Sequence, residues 1–148
     1  MKIKQKIGVI GNGFVGGAVK FGFSPQVGCD AEVRVYDINP SKSTHTLEET
    51  VNKSDFIFLS VPTPANEDGS ININILEDAL KNISEVHDGK DNAVLIRSTV
   101  VPGTTWSLQQ KYHKLSSDSK GWPFYAKENF AQNVWNPWKK DTFVTKKL

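Results

Sequence analysis

Three glycines, Gly11, Gly13 and Gly16, follow an apolar run, Ile7-Gly8-Val9-Ile10, at the spacing Gly-x-Gly-x-x-Gly and lead into a stretch of helical periodicity. A strand that enters such a loop and leaves it as a helix makes a cradle for phosphate. The first glycine permits a sharp turn, the second lets a pyrophosphate approach the backbone, and the third lets the helix pack tightly on the strand. The helix N-terminus aims free N–H groups and the positive end of its dipole at the anion, which makes the amides of Phe14 and Val15 candidate donors. A second strand, Glu32-Val33-Arg34-Val35-Tyr36, ends in Asp37. It lies about 20 residues on, where an acidic side chain meets a ribose 2′-hydroxyl. A carboxylate there accepts from NAD and repels the 2′-phosphate of NADP. The residues that follow, Ile38-Asn39-Pro40, bring no arginine, so NAD is the expected cofactor. A glycine-rich turn can also be no more than a tight strand-to-helix connection; the flanking strand, helix and acid favour the dinucleotide.

The elements that must position these residues follow in order. The first helix places Val15, Ala18, Val19 and Gly22 on one face and ends at Ser24-Pro25. Cys29 precedes the second strand, at the end of the sheet opposite the ligand-bearing carboxyl ends, and reads as a partly buried structural thiol. Thr46-Leu47-Glu48-Glu49 has capping-box spacing for a helix to about Lys53. Phe56-Ile57-Phe58-Leu59-Ser60-Val61 is a continuous apolar run suited to a parallel strand buried on both faces. Residues 71–75 alternate like a strand, while Leu76, Ala79, Leu80 and Ile83 repeat like a helix; the helix is favoured, capped by Asn72 or Asn74. It is the crossover required before Ala93-Val94-Leu95-Ile96. Arg97-Ser98-Thr99 closes that strand, and a further helix runs to about Lys114, with Leu108, Tyr112 and Leu115 toward the sheet. The expected architecture is α/β, a Rossmann-type doubly wound parallel sheet of main strand order 2-1-3-4 with a short irregular C-terminal tail. Residues 1–115 form the domain and 116–148 a loop and aromatic tail. Residues 41–45 are too few for a crossover to another parallel strand and are expected to be irregular or a frayed edge.

At 148 residues the chain is one ordinary domain, with a formal charge of +2 and a single cysteine. That charge is too small to point to nucleic acid, and no run approaches the ~20 apolar residues that span a membrane. One cysteine suits a reducing, cytoplasmic setting and allows no internal disulfide. The three histidines have no metal-ligand spacing, and no metal is expected. Trp106, Trp122, Trp135 and Trp138 are read as packing the tail onto the domain or a partner subunit, which also allows a homo-oligomer.

Val61-Pro62-Thr63-Pro64 and Ser98-Thr99-Val100-Val101-Pro102-Gly103-Thr104-Thr105, standing behind the glycine loop, carry a resemblance. Over roughly residues 5–110 the chain resembles the N-terminal NAD-binding half of the UDP-glucose/GDP-mannose dehydrogenase family. The resemblance implies oxidation of the C6 alcohol of a nucleotide sugar to a carboxylate with two NAD molecules, through a thiohemiacetal on a cysteine supported by a lysine and an asparagine. Those last residues belong to a later portion that this chain does not contain. It also implies that Thr63 and Thr99 line the nicotinamide and reacting-carbon side; hydroxyls bonding nearby backbone in a turn are the competing reading. Pro123-Phe124-Tyr125-Ala126-Lys127-Glu128 is faintly similar to the family's Pro-Glu-Phe-Leu-x-Glu segment. By that similarity Glu128 takes the place of a glutamate that moves protons through water, against chance, a divergent tail or an altered end to a truncated gene.

Two functions from different classes are therefore carried forward. One is the NAD-binding portion of a nucleotide-sugar 6-dehydrogenase, its catalytic half missing from this chain. The other is a non-catalytic NAD-binding or subunit-interaction module. A β-hydroxyacid dehydrogenase shares the glycine loop but not the two later motifs.

Overall fold

A computed structural model describes residues 4–113 and 124–126. The elements are β1 (Lys6–Ile10), α1 (Phe14–Gly22), β2 (Glu32–Tyr36), α2 (Leu47–Asn52), β3 (Phe56–Leu59), α3 (Asn74–Val86), β4 (Ala93–Ile96), α4 (Thr104–His113) and β5 (Phe124–Ala126). The strands make one parallel sheet in the order β2-β1-β3-β4-β5. The expected 2-1-3-4 order is present, and β5 adds an edge strand where an irregular tail was expected.

The order reverses at β1, whose neighbours are β2 on one side and β3 on the other. Right-handed crossovers then fix the layers. Stepping from β1 to β2 puts α1 on one face; stepping the other way, through β3, β4 and β5, puts α2, α3 and α4 on the opposite face.

That three-helix face holds the main core. Ile57 and Leu59 of β3 and Val94 and Ile96 of β4 pack with Val51 of α2, Leu76, Leu80 and Ile83 of α3, and Leu108 and Tyr112 of α4. The 3.6-residue spacing of Leu76, Leu80 and Ile83 decides residues 74–86 for helix. The strand-like reading survives only as an isolated antiparallel bridge between Ala65 and Ile71. Asn72 turns the chain into the helix by accepting from the Asn74 N–H at 2.9 Å, without acting as its cap. At α2 the capping box is complete. Thr46 Oγ1 accepts from Glu49 N at 3.1 Å, and Glu49 accepts from Thr46 N at 3.2 Å.

On the other face Val19 and Phe23 pack against Ile7, Val9, Val35 and Phe58. This core is smaller, and it corrects the expectation that β3 is buried on both faces. Ile57 and Leu59 are fully buried, but Phe56 is 43% exposed. Among the described residues only α1 lies on this side, over β1 and β3, and it leaves the far flank open. For the same reason Val15, expected on the inward face of α1, is 48% exposed.

Residues 41–45 form no strand. Pro40–Lys42 is a 3-10 turn, after which the Thr44 and His45 N–H groups both reach the Val35 carbonyl, so the segment folds back along the edge of β2. Cys29 is a free, partly buried thiol in the loop before β2, away from the carboxyl ends of the strands. Trp106 is exposed on α4. Leu115, Trp122, Trp135 and Trp138 lie outside the described residues. Among the described residues no helix is long and apolar enough to cross a membrane.

Candidate functional site

The carboxyl ends of β1, β2, β3 and β4 open on a common mouth, and each of its glycines is required for a different reason. Gly11 has a φ of +89°, and a Cβ there would lie 2.3 Å from the Ser60 carbonyl oxygen. The loop therefore turns hard against the end of β3. A Cβ on the buried Gly16 would lie 1.7 Å from the Gly11 carbonyl oxygen, so the helix start is folded onto the turn. Gly13 differs. Its φ is −84°, and among the described residues nothing comes within 4 Å of a Cβ placed on it. No contact among the described residues demands a glycine there, and the backbone at this position is open to a ligand.

The start of α1 is also left open. No side chain caps it and no acid occupies its first turn, whereas α2 is closed by a capping box and carries Glu48 and Glu49. Unsatisfied N–H groups and the positive dipole end suit an anion at α1. Phe14, fully exposed, and Val15 stand in this first turn with their side chains away from the core.

Asp37 is drawn to the glycine loop. Its Oδ2 accepts from Asn12 N at 2.7 Å and its Oδ1 from Asn39 N at 2.8 Å. Partial burial pushes the carboxyl up, but these two N–H groups and the positive charge of Lys42 outweigh it and hold the pKa below the ordinary aspartate value. Asp37 is therefore ionised at neutral pH. Two hydrogen bonds leave lone pairs on both oxygens, enough to accept from ribose hydroxyls as well.

Asn12 was not anticipated. Its amide nitrogen donates to the Lys42 carbonyl at 2.8 Å, so it ties the 3-10 turn beyond Asp37 to the glycine loop. Lys42 stands beyond the three residues that directly follow Asp37, and no local pattern shows that it returns to the carboxylate. The turn brings the fifth residue back beside the carboxylate.

The second half of the mouth is made by the segments after β3 and β4. Thr63 Oγ1 donates to the Thr99 carbonyl at 2.9 Å. The two threonines are brought together as the sequence motifs suggested, but the Thr63 hydroxyl is used on backbone. Thr99 is exposed. Ser98 is 7% exposed, and its hydroxyl serves Val61, donating to the carbonyl at 2.6 Å and accepting from the N–H at 3.1 Å. The halves meet where Gly11 abuts Ser60 and Val61, two residues before Thr63. Glu128 lies outside the described residues.

The residues present thus fit a dinucleotide: an open glycine and an uncapped helix for the pyrophosphate, an ionised acid for the adenosine ribose, and hydroxyl-bearing segments beyond β3 and β4. Over 54 residues the chain is 41% identical to UDP-glucose 6-dehydrogenase AglM of Haloferax volcanii, an alignment covering 35% of this chain and 13% of that protein. The structure of a UDP-glucose dehydrogenase from Pyrobaculum islandicum superposes with a TM-score of 0.67 at 25% identity, over 84% of this chain and 35% of that one. A GDP-mannose dehydrogenase from Pseudomonas aeruginosa shares the fold, with a TM-score of 0.69 at 21% identity, over 82% of this chain and 35% of that one. The chain thus spans about a third of the length of these solved relatives. Residues 42–137 match the model of the family's NAD-binding domain, a stretch that begins after Asp37, holds both threonine motifs and runs past Glu128. The chain belongs to the UDP-glucose/GDP-mannose dehydrogenase family, as an NAD-binding domain of Rossmann type.

Proposed function

We propose that this chain is the cofactor-holding portion of a nucleotide-sugar 6-dehydrogenase. Bound NAD supplies a hydride acceptor for a sugar CH–OH carbon. The chain's own residues bind and orient it: the loop of Gly11, Gly13 and Gly16 with the amides of Phe14 and Val15 at the pyrophosphate, Asp37 at the adenosine ribose, and Thr63 and Thr99 on the nicotinamide side. Glu128 is proposed to hold or move a proton there. The parallel pairing of β5 with β4, Ala126 opposite Ile96, runs the chain toward the carboxyl ends of the strands and supports this reading. Full oxidation to the acid needs a nucleophile for the aldehyde-level intermediate. Cys29, at the opposite end of the sheet, does not supply one.

Gly13 carries this reading, because it stands at the uncapped start of α1 with an ordinary φ and open space where a side chain would be, which leaves the backbone there accessible to a pyrophosphate. The test is calorimetric titration of the purified chain with NAD and then NADP. Saturable, preferential NAD binding is expected. Tighter NADP binding would overturn the assignment to Asp37, and formation of a uronic acid by the chain alone would overturn the division of labour.

A second reading, a non-catalytic NAD-binding or subunit-interaction module, draws support from the open sheet face. Phe56 is exposed there, and a groove of about 380 Å³ lined by Phe14, Val15, Ala18, Val19 and Arg97 runs beside α1. Stacked parallel strands ordinarily have both faces covered. Sedimentation of the chain over a range of concentrations checks this reading. Self-association that Phe56→Ser abolishes, with NAD binding retained, would favour it.

A further inference from the structure

The β3–β4 ladder ends at Leu59 and Ile96, with one more bond from Arg97 N to the Leu59 carbonyl at 2.8 Å. Beyond that point the two chains diverge to form the mouth, yet they remain joined. Ser98 Oγ accepts from Val61 N and donates to Val61 O, so a single buried hydroxyl satisfies both backbone groups of the opposing residue. Thr63 Oγ1 donates to the Thr99 carbonyl and makes the next link. The links alternate in direction: β4's segment reaches back to 61, then β3's segment reaches forward to 99. Two hydroxyls continue the connection that backbone groups make inside the sheet, while leaving the main chain of 98–99 free to leave strand geometry.

We propose that Ser98 and Thr63 form a clasp that fixes the placement of Thr99, and hence the geometry of the nicotinamide side of the mouth. This rests on the NAD reading above. It divides roles that the sequence motifs leave equal. Thr63 spends its proton on the Thr99 carbonyl and is a positioning residue. Ser98 is 7% exposed with its hydroxyl committed in both directions, and is likewise a positioning residue. Of the three, Thr99 is the exposed residue. The adenosine side is held separately, by Asn12, Asp37 and Asn39, and no bond of the clasp reaches it.

That separation supplies the test. The full chain and its Ser98→Ala, Thr63→Val, Thr63→Ser and Thr99→Val variants are titrated calorimetrically with NAD and with ADP-ribose, which lacks only the nicotinamide. Loss of the clasp is expected to weaken NAD about tenfold in Thr63→Val, the effect of losing one well-placed hydrogen bond, and at least as much in Ser98→Ala, which loses two. ADP-ribose affinity should be unchanged in both. Thr63→Ser keeps the hydroxyl and should restore NAD binding to the parent value. Thr63→Val is nearly isosteric at a partly exposed position, so it reports even if Ser98→Ala folds poorly. Equal weakening of NAD and ADP-ribose, or no rescue by Thr63→Ser, would reduce the clasp to general stability and overturn the proposal. Unchanged NAD affinity in Thr63→Val would do the same. Failure of the parent chain to bind NAD while ADP-ribose binds, or failure of both, would overturn the cofactor reading itself and the clasp with it.

Discussion

On the proposed adenosine side of the mouth the glycine loop touches its neighbours through main chain, Gly16 on the Gly11 carbonyl and Gly11 on the Ser60 carbonyl, with the Asp37 carboxylate accepting from the Asn12 and Asn39 N–H groups beside it. On the nicotinamide side they touch through hydroxyls, with Ser98 on Val61 and Thr63 on Thr99. Backbone contacts of the first kind leave no room for a side chain and tolerate almost no substitution. Hydroxyl contacts leave the backbone free to open and can be removed singly. The rigid half therefore suits the invariant part of a dinucleotide, and the adjustable half suits the part where chemistry and substrate meet.

The sharpest way to break this comparison is at the glycines. Gly16→Ala puts a methyl 1.7 Å from the Gly11 carbonyl oxygen, which backbone alone must relieve. Overpacking of this kind costs ~1–3 kcal/mol or more. Both a lowered urea midpoint and loss of NAD binding are expected. Gly13→Ala meets nothing within 4 Å and has an ordinary backbone conformation. It should unfold at the parent midpoint yet bind NAD at least about tenfold more weakly, since the methyl occupies the approach of the pyrophosphate. If Gly13→Ala binds NAD as the parent does, the cradle has been misread. If it destabilises the fold as Gly16→Ala does, the distinction between the two glycines fails.

The next effect sharpens the adenosine half. Asp37→Asn removes the charge but keeps an acceptor, and NAD should weaken about tenfold, the scale of a charged hydrogen bond made neutral. NADP should gain relative to NAD, helped by Lys42 beside the site. The same charge gives a pH signature. The folded pKa of Asp37 lies below its ordinary value of 3.8. Its stabilising contribution is thus fully present above that value and is lost only as pH falls through the depressed folded pKa. NAD selectivity should hold from neutral pH down to about pH 4 and fade below it. Competition titrations at successive pH values check this; a transition near pH 6 would assign selectivity to another group.

Much of this was legible in the chain. Apolar runs and the glycine spacing placed β1, α1, β2, β3 and β4, because the period of a buried strand and the demands of a tight turn are local. The strand order followed, since crossover handedness leaves few choices. What escaped was non-local. Ser98 stood in a recognised motif, but its work is defined by Val61, 37 residues away. Asn12 and Lys42 are 30 residues apart and meet only because the turn after Asp37 folds back. Phe56 and Val15 look like core by type and period. Their exposure depends on how far α1 extends across the sheet, which no local pattern encodes.

The smallest expected effect isolates the fold from the site. Thr46→Ala removes the N-cap of α2, the helix that packs on β1 and β2. Loss of a threonine cap costs ~1 kcal/mol. The urea midpoint should fall accordingly, while NAD affinity stays at the parent value. Glu49 makes the reciprocal bond, and the Thr46 N–H, with Lys53 beside it, holds its carboxyl below the ordinary 4.5. The box is therefore intact above that pH and weakens as Glu49 protonates through its lower folded pKa. The stability difference between Thr46→Ala and the parent should be constant from pH 7 to about pH 5 and narrow below it. A change in NAD affinity in this variant would mean that α2 carries strain from the helix face into the glycine loop. The contact to examine would then be Gly8, where a Cβ would lie 2.9 Å from both Ser54 Oγ and the Thr50 carbonyl oxygen.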